Sequence, residues 1–369
     1  MIRLASVINT FEADFLAHYR HRLTPDHTRA LAAIKQCRTA ASPKMQAKCT
    51  GCEHQQLMPH SCGHRHCPHC QHHESQQWLE RQLQKQVPAE YFLLTFTLPA
   101  EFRALAWAHQ SVVYELLMRS CWETVRLFSQ NDKQLHGTPG AIAVLHTNTR
   151  QLNYHPHVHL VMPAAAVDGE RKQWRTKVPG KAKGVYLFNH NALAKVFRAK
   201  MLSAIEAAGL TLPAHYPKAW VVDCKSVGSG EKALIYLGRY LYRGVIREKD
   251  IVACSDTTVT FAYQDAKTGK SARRTVSGAQ FLWLVLQHVL PKGFRRARNF
   301  GFLHPNCKRL IALLHLLLRV VPSVAGAWFK ARAPILCTCC GAVMVIVKTR
   351  LRSVPCEVVP VPIVIAQVI

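Results

Sequence analysis

Residues 49–70, CTGCEHQQLMPHSCGHRHCPHC, hold Cys49 and Cys52 in one Cys-x-x-Cys turn and Cys67 and Cys70 in another, fourteen residues apart. The wider stretch 37–73 has six cysteines, a run of histidines and few aliphatic side chains. It carries too little apolar surface for a core of its own, so something other than hydrophobic burial must hold it. Each Cys-x-x-Cys turn lets two thiolates approach one ion, and a loop of that length lets the second pair close a tetrahedron. Zinc suits four thiolates because it has no redox chemistry and accepts tetrahedral sulfur ligation. Its binding energy then becomes folding energy. The expectation is a structural Zn²⁺ on Cys49, Cys52, Cys67 and Cys70. Cys37 and Cys62 are candidates for the nucleus of a second site. A further turn, Cys337 to Cys340 in CTCCGAVM, has no matching pair in the sequence around it.

The charge narrows the class of partner. Forty-eight Lys and Arg against twenty-one Asp and Glu leave a formal +27. A surplus of that size repels itself unless a polyanion is near, which points to nucleic acid first and an anionic membrane second. The basic residues are spread along the chain, which argues against a single lipid-binding helix. The opening residues, MIRLASVINTFEADFLAHYR, lack a signal-peptide core and carry acids early. The longest apolar helical stretch, 310–321, is interrupted by His315 and Arg319 and is too short for a bilayer. It is expected to be a buried core helix. A cytoplasmic, nucleoid-associated protein is expected, in which fourteen cysteines serve metal rather than disulfides.

Periodicity predicts helices at 1–36, with Pro25-Asp26 opening the second, and at 74–86, about 101–130, 189–208, 231–243 and 278–290. Strands are expected at 91–98, 141–147, 157–162 and 219–224, with short ones across 251–276. The stretch 167–184 reads as a basic, glycine-containing loop. The fold class is α+β: an antiparallel sheet flanked by helices, preceded by a small cysteine-rich module. Three blocks are expected: 1–88 with the zinc module, 89–305 with the chemistry, and 306–369 with a helix and a Cys-x-x-Cys tail. The tail 354–369, VPCEVVPVPIVIAQVI, is unusually apolar and has no assigned role.

Two constellations in the middle block carry chemistry. In the strand NYHPHVHLVMP, His157 and His159 share one face, because side chains two apart in a strand point the same way. Two imidazoles so placed can chelate one divalent ion, although a pair of core histidines has the same spacing. In EKALIYLGRYLYRG, Tyr236 and Tyr240 stand one helical turn apart and project from one face. Lys232 and Arg243 fall in the same stripe, with Arg239 between the tyrosines; these three cations are candidates for phosphate contacts. Two phenols can pack in a core, but a phenol is also a nucleophile for phosphorus. Imidazoles and phenols explain each other if both serve phosphate chemistry.

Taken together, His157-Val158-His159, the Tyr-x-x-x-Tyr of Tyr236 and Tyr240, the cysteine module and the later HVLPKGFRRARNFGF resemble one family. It is the two-tyrosine rolling-circle insertion-sequence transposases of the HUH class, the insertion-sequence ninety-one group. The similarity covers about residues 30–305. It implies a single-stranded DNA endonuclease and strand transferase, with Mg²⁺ or Mn²⁺ on His157 and His159 and a 5′-phosphotyrosine intermediate. A third ligand is expected, for which His146, Gln151 and His155 are candidates. Two other readings share these residues: a relaxase-like replication initiator of the same chemistry, and a zinc-dependent DNA-binding regulator without catalysis.

Overall fold

Three strands, 91–97, 138–148 and 154–163, buried along most of their length, build the centre of the fold. The computed structural model describes residues 1–178, 187–242, 244–266, 268–322 and 334–351. In chain order its elements begin with α1 (Leu4–Tyr19), α2 (Pro25–Gln36), β1 (Lys44–Cys49), β2 (Gln55–Pro59), α3 (His72–Leu83) and β3 (Tyr91–Thr97). Then come α4 (Arg103–Ala108), α5 (Gln110–Asn131), β4 (Thr138–Asn148), β5 (Tyr154–Pro163), β6 (Ala165–Asp168), β7 (Gln173–Thr176) and α6 (His190–Ala207). The rest are β8 (Val222–Ser226), α7 (Glu231–Leu241), β9 (Ile251–Cys254), β10 (Thr258–Gln264), β11 (Ser271–Ser277), α8 (Gly278–Leu286), β12 (Ala297–Gly301), α9 (Lys308–Leu317) and β13 (Met344–Leu351).

The chain divides into two compact units, 1–35 with 63–330 and 36–62 with 331–369. This division cuts across the blocks at 88 and 305 expected from sequence. The smaller unit takes strands from distant parts of the chain, β1 and β2 together with β13, so it is not a contiguous stretch.

In the larger unit, seven described strands form one antiparallel sheet in the order β7-β6-β4-β5-β3-β8, with β12 also pairing β4. The two-residue alternation separates its faces. Ala141, Ala143 and Leu145 of β4 and Val158, Leu160 and Met162 of β5 face α5 and α6, where Leu117, Val125, Phe197 and Met201 are fully buried. Ile142 and Val144 of β4 and Val161 of β5 face the other way, onto Leu79, Leu83, Leu234 and Leu237 of α3 and α7. Burying a leucine fully is worth about 1.5–3 kcal/mol, so this second face fixes α7 firmly on the sheet. A separate antiparallel sheet, β11-β10-β9, lies beside α8. The smaller unit is a three-stranded antiparallel sheet, β13-β1-β2.

Three sequence expectations change. The helix expected over 101–130 is interrupted at His109 (φ −128°, ψ 47°), giving α4 and α5. The stretch 167–184 is not all loop. β6 and β7 pair as a hairpin from Ala165 opposite Thr176 to Asp168 opposite Gln173. The Asp168 carboxylate accepts N–H bonds from Glu170 and Arg171 in its turn, and 179–186 lie outside the described residues. The stretch 310–321 is not a buried core helix. Ile311 and Leu314 alone among the residues of α9 are buried, while Leu313, Leu316 and Leu317 are exposed, because one stripe of the helix meets the core and the rest faces solvent. The apolar tail 354–369 lies outside the described residues.

Candidate functional site

On the α7 side of the sheet the apolar alternation gives way to polar side chains at one end. β4 runs Ile142, Val144, His146, Asn148 along that face, and antiparallel β5 brings His157 and His159 beside it. His146 stands directly opposite His157, and His159 opposite Val144. One ring nitrogen from each of His146, His157 and His159 lies within 4.8 Å of the others, so a single ion among them is within reach of all three.

The imidazoles are prepared as neutral donors. Burial pushes the pKa of His157 down to about 4 and that of His159 to about 3. His146 is held well below its ordinary value by burial, reinforced by the other two histidines. At neutral pH each therefore offers a lone pair. His157 Nδ1 donates to the His155 carbonyl at 2.7 Å, which leaves Nε2 for a ligand. His159 Nδ1 shares a 3.1 Å hydrogen bond with Thr95 Oγ1. His146 Nε2 is buried without a hydrogen-bond partner. An orphaned buried nitrogen is costly, and a metal ion satisfies it. The residues present therefore fit a divalent ion.

Of the other third-ligand candidates, Gln151 donates its side-chain amide to Tyr263 Oη at 3.0 Å, and His155 Nδ1 accepts from the Arg103 guanidinium at 3.0 Å. Neither belongs to the cluster of three.

Helix α7 presents both tyrosines to this cluster. Its buried stripe, Leu234, Leu237, Gly238 and Leu241, follows helical spacing. A Cβ at position 238 would stand 3.2 Å from the Trp78 ring, so the glycine lets α7 lie close on α3. Ser75 Oγ donates to the Gly238 carbonyl at 3.0 Å, fixing the same approach. With that face anchored, Tyr236 and Tyr240 turn toward the histidines, their ring centroids 6.3 Å apart.

The two phenols are not equivalent. The Tyr240 ring stacks on His146 at 3.6 Å, and its hydroxyl donates to Asn148 Oδ1. Burial pushes that hydroxyl up to about 12, against the opposing pull of the Arg296 guanidinium. Tyr236 is half exposed, 6.4 Å from the His159 ring. Burial raises its pKa too, and Arg150 opposes the rise. The three histidines and both tyrosines line one cleft of about 1030 Å³, with Arg150 and Arg296 in its wall.

Two of the three cations expected from sequence lie elsewhere. Lys232 and Arg239 are exposed on α7 and do not line the cleft, and Arg243 lies outside the described residues. Arg296, which sequence reasoning missed, is held by the carbonyls of Leu145 (3.0 Å) and Leu241 (3.4 Å), its guanidinium carbon 5.0 Å from the Tyr240 ring centroid. The one available signal was its place in HVLPKGFRRARNFGF.

The cysteines group differently from their sequence spacing. Cys49 and Cys52 lie with Cys337 and Cys340, all four sulfurs within 4.8 Å of one another. Cys67 and Cys70 belong to the larger unit and are not members of this set. The expected tetrahedron of Cys49, Cys52, Cys67 and Cys70 is therefore not the one this geometry gathers, because β13 brings a second Cys-x-x-Cys turn alongside β1. Cys37 and Cys62 lie in the smaller unit.

Comparison with known proteins follows the same outline. Residues 140–310 match a family described as "Putative transposase", and residues 7–98 match one described as "Transposase zinc-binding domain". "Putative transposase y4qJ" of Sinorhizobium fredii (strain NBRC 101917 / NGR234) is 34% identical over 79% of this chain and 79% of its own length. "Transposase for insertion sequence element IS801" of Pseudomonas savastanoi pv. phaseolicola is 27% identical over 68% of this chain and 63% of its own. A solved structure of the conjugative relaxase TrwC with OriT DNA aligns with 63% of this chain and 73% of its own, at 14% identity and a TM-score of 0.27.

Proposed function

Because the chain belongs to the rolling-circle transposases of the insertion-sequence ninety-one family, which carry an amino-terminal zinc-binding domain, we propose that the histidine–tyrosine cleft is where it nicks and rejoins DNA. The observation that carries this reading is the shared cleft: three neutral imidazoles and two phenols face one space beside two arginines. The partner is DNA, in keeping with the formal charge of +27. Among the described residues no helix is long and apolar enough to cross a membrane.

His146, His157 and His159 would hold Mg²⁺ or Mn²⁺. Bound there, the ion supplies Lewis-acid polarisation of the scissile phosphate. The protein's own groups do the rest. A tyrosine oxygen attacks phosphorus, its proton leaves, and the phosphorus–3′-oxygen bond breaks. The products are a 5′-phosphotyrosine and a free 3′-hydroxyl. The phosphodiester energy is kept in the new bond, so a later 3′-hydroxyl can reverse the step and join strands without a nucleotide cofactor. Tyr236, open to solvent, meets an incoming strand with no rearrangement. Tyr240 must first leave Asn148, so it is assigned the second of two successive transfers. Arg150 and Arg296 face the phosphate charge, while Lys232 and Arg239 track the strand outside the cleft. Structural zinc belongs to the cysteine module, and nucleoid association follows from DNA binding.

The test is a covalent adduct with single-stranded oligonucleotides from the element's ends, formed in Mn²⁺ or Mg²⁺ and resolved on a denaturing gel. Tyr236→Phe with Tyr240→Phe is expected to abolish the adduct while leaving the circular dichroism spectrum unchanged. Binding without any adduct, across both metals and both ends, would instead favour a non-catalytic regulator.

A further inference from the structure

The smaller unit poses a stability problem. Its described core contains four buried residues, Ala47, Cys49, Cys337 and Met344, with Met58, Ile335 and Ala342 packed against them. A cluster that small does not supply the several kcal/mol a fold needs, and small folds commonly add a metal or disulfides. Two of its four buried members are cysteines.

The geometry around the four sulfurs is that of paired metal-binding turns. Cys49 Sγ lies 3.4 Å from Cys340 Sγ, and Cys52 Sγ 3.8 Å from Cys337 Sγ. Disulfide sulfurs stand about 2.0 Å apart. Zinc–sulfur bonds of about 2.3 Å put the corners of a tetrahedron about 3.8 Å apart. The observed spacings match the second figure.

The backbone repeats the same device in both turns. The Gly51 N–H donates to Cys49 Sγ at 3.2 Å, and the Cys339 N–H to Cys337 Sγ at 3.4 Å. The N–H groups of His54 and Ala342 act in the same way on Cys52 and Cys340. Each of the four sulfurs thus meets the N–H two residues downstream, which stabilises thiolate charge. The sequences mirror one another as Cys-Thr-Gly-Cys and Cys-Thr-Cys-Cys. Thr50 clasps the second turn, its N–H and hydroxyl both donating to the Val343 carbonyl, at 3.1 and 2.8 Å. A Cβ at Gly51 would stand 2.9 Å from Ala342 Cβ, so the close approach of the two turns needs glycine there. β1 and β13 pair beside them, Cys49 opposite Met344.

We infer that Cys49, Cys52, Cys337 and Cys340 form a four-thiolate zinc site that joins the amino-terminal strand pair to a strand from the far end of the chain. The site reaches outside residues 7–98, the stretch matched as a zinc-binding domain. It makes the carboxy-terminal strand part of the amino-terminal module. Cys67 and Cys70 are not among its ligands. The inference is independent of nicking and is measured equally well in the protein lacking both tyrosine hydroxyls.

The test is metal content of the full-length protein by atomic emission after gel filtration. Cys337→Ser with Cys340→Ser is expected to lose one zinc per chain relative to wild type, and Cys340→His to retain it. Full zinc content in the double serine variant overturns the site, and iron in place of zinc overturns the assignment of the ion. A second measurement on wild type avoids any folding defect: N-ethylmaleimide labelling mapped by mass spectrometry. Cys337 and Cys340 are expected to be protected together with Cys49 and Cys52 until a mercurial displaces the metal. If they label as fast as exposed Cys254, or are released by reductant alone, the site is refuted.

Discussion

The imidazole cluster of the larger unit and the thiolate cluster of the smaller one solve the same problem with opposite means. His146, His157 and His159 lie on two adjacent strands, and burial keeps them neutral before any ion arrives. They stand on a sheet already stabilised on both faces, so an ion adds chemistry and little fold. Cys49 and Cys52 meet Cys337 and Cys340 across 285 or more residues, in a unit whose apolar core among the described residues is too small to stand alone. There the ion supplies the fold. The lesson is that the histidine site should be exchangeable and the cysteine site locked.

The largest expected effect tests that contrast directly. Brief EDTA treatment should abolish nicking, and added Mn²⁺ should restore it, with zinc content unchanged throughout. Activity that survives EDTA, or zinc lost along with it, breaks the distinction. Next in size is His146→Ala, which removes one of three ligands while both tyrosines remain. Loss of Lewis-acid stabilisation is worth several kcal/mol, so a drop on the order of 10²–10³ in nicking rate is expected. Partial recovery at high Mn²⁺ would mark a ligand rather than a packing residue.

Acid should act on the larger unit through its histidines. His157 and His288 titrate near 4 and His159 near 3 in the folded protein, against 6.5 when exposed. Between those values the unfolded chain binds more protons, so stability is full above about pH 6.5 and falls as the pH drops toward 4. Denaturant midpoints at pH 7 and pH 5 in the presence of EDTA check the sign. A higher midpoint at pH 5 contradicts it. The smallest effect is expected from Arg296→Lys, which keeps the charge but loses the fork between Leu145 and Leu241. A decrease of about tenfold in adduct formation corresponds to roughly 1.4 kcal/mol of transition-state stabilisation. Stopped-flow or quenched-gel rates will read it.

What was legible follows from the range of each signal. His157 with His159, and Tyr236 with Tyr240, are local patterns of period two and 3.6. Each sits on the element its spacing predicted, β5 and α7. His146 could be named as a candidate because it ends the strand before β5, but only the register of β4 sets it opposite His157. Arg296 left no periodic trace. It reaches Tyr240 because β12 pairs along β4, placing Ala297 opposite Val144. Cys67-x-x-Cys70 is the turn nearer to Cys49 and Cys52 in sequence, whereas the pairing of β13 with β1 gathers Cys337 and Cys340 with them.

The central claim, that imidazoles and phenols serve one phosphate, is tested most directly by mapping the covalent adduct. Protein incubated with an end-derived oligonucleotide and Mn²⁺ is digested with nuclease and protease, and the peptides are analysed by mass spectrometry. The account predicts a nucleotide on Tyr236, on Tyr240 or on both, absent in EDTA and in His157→Ala. A nucleotide attached to any other residue, or one that forms equally well without metal, contradicts it.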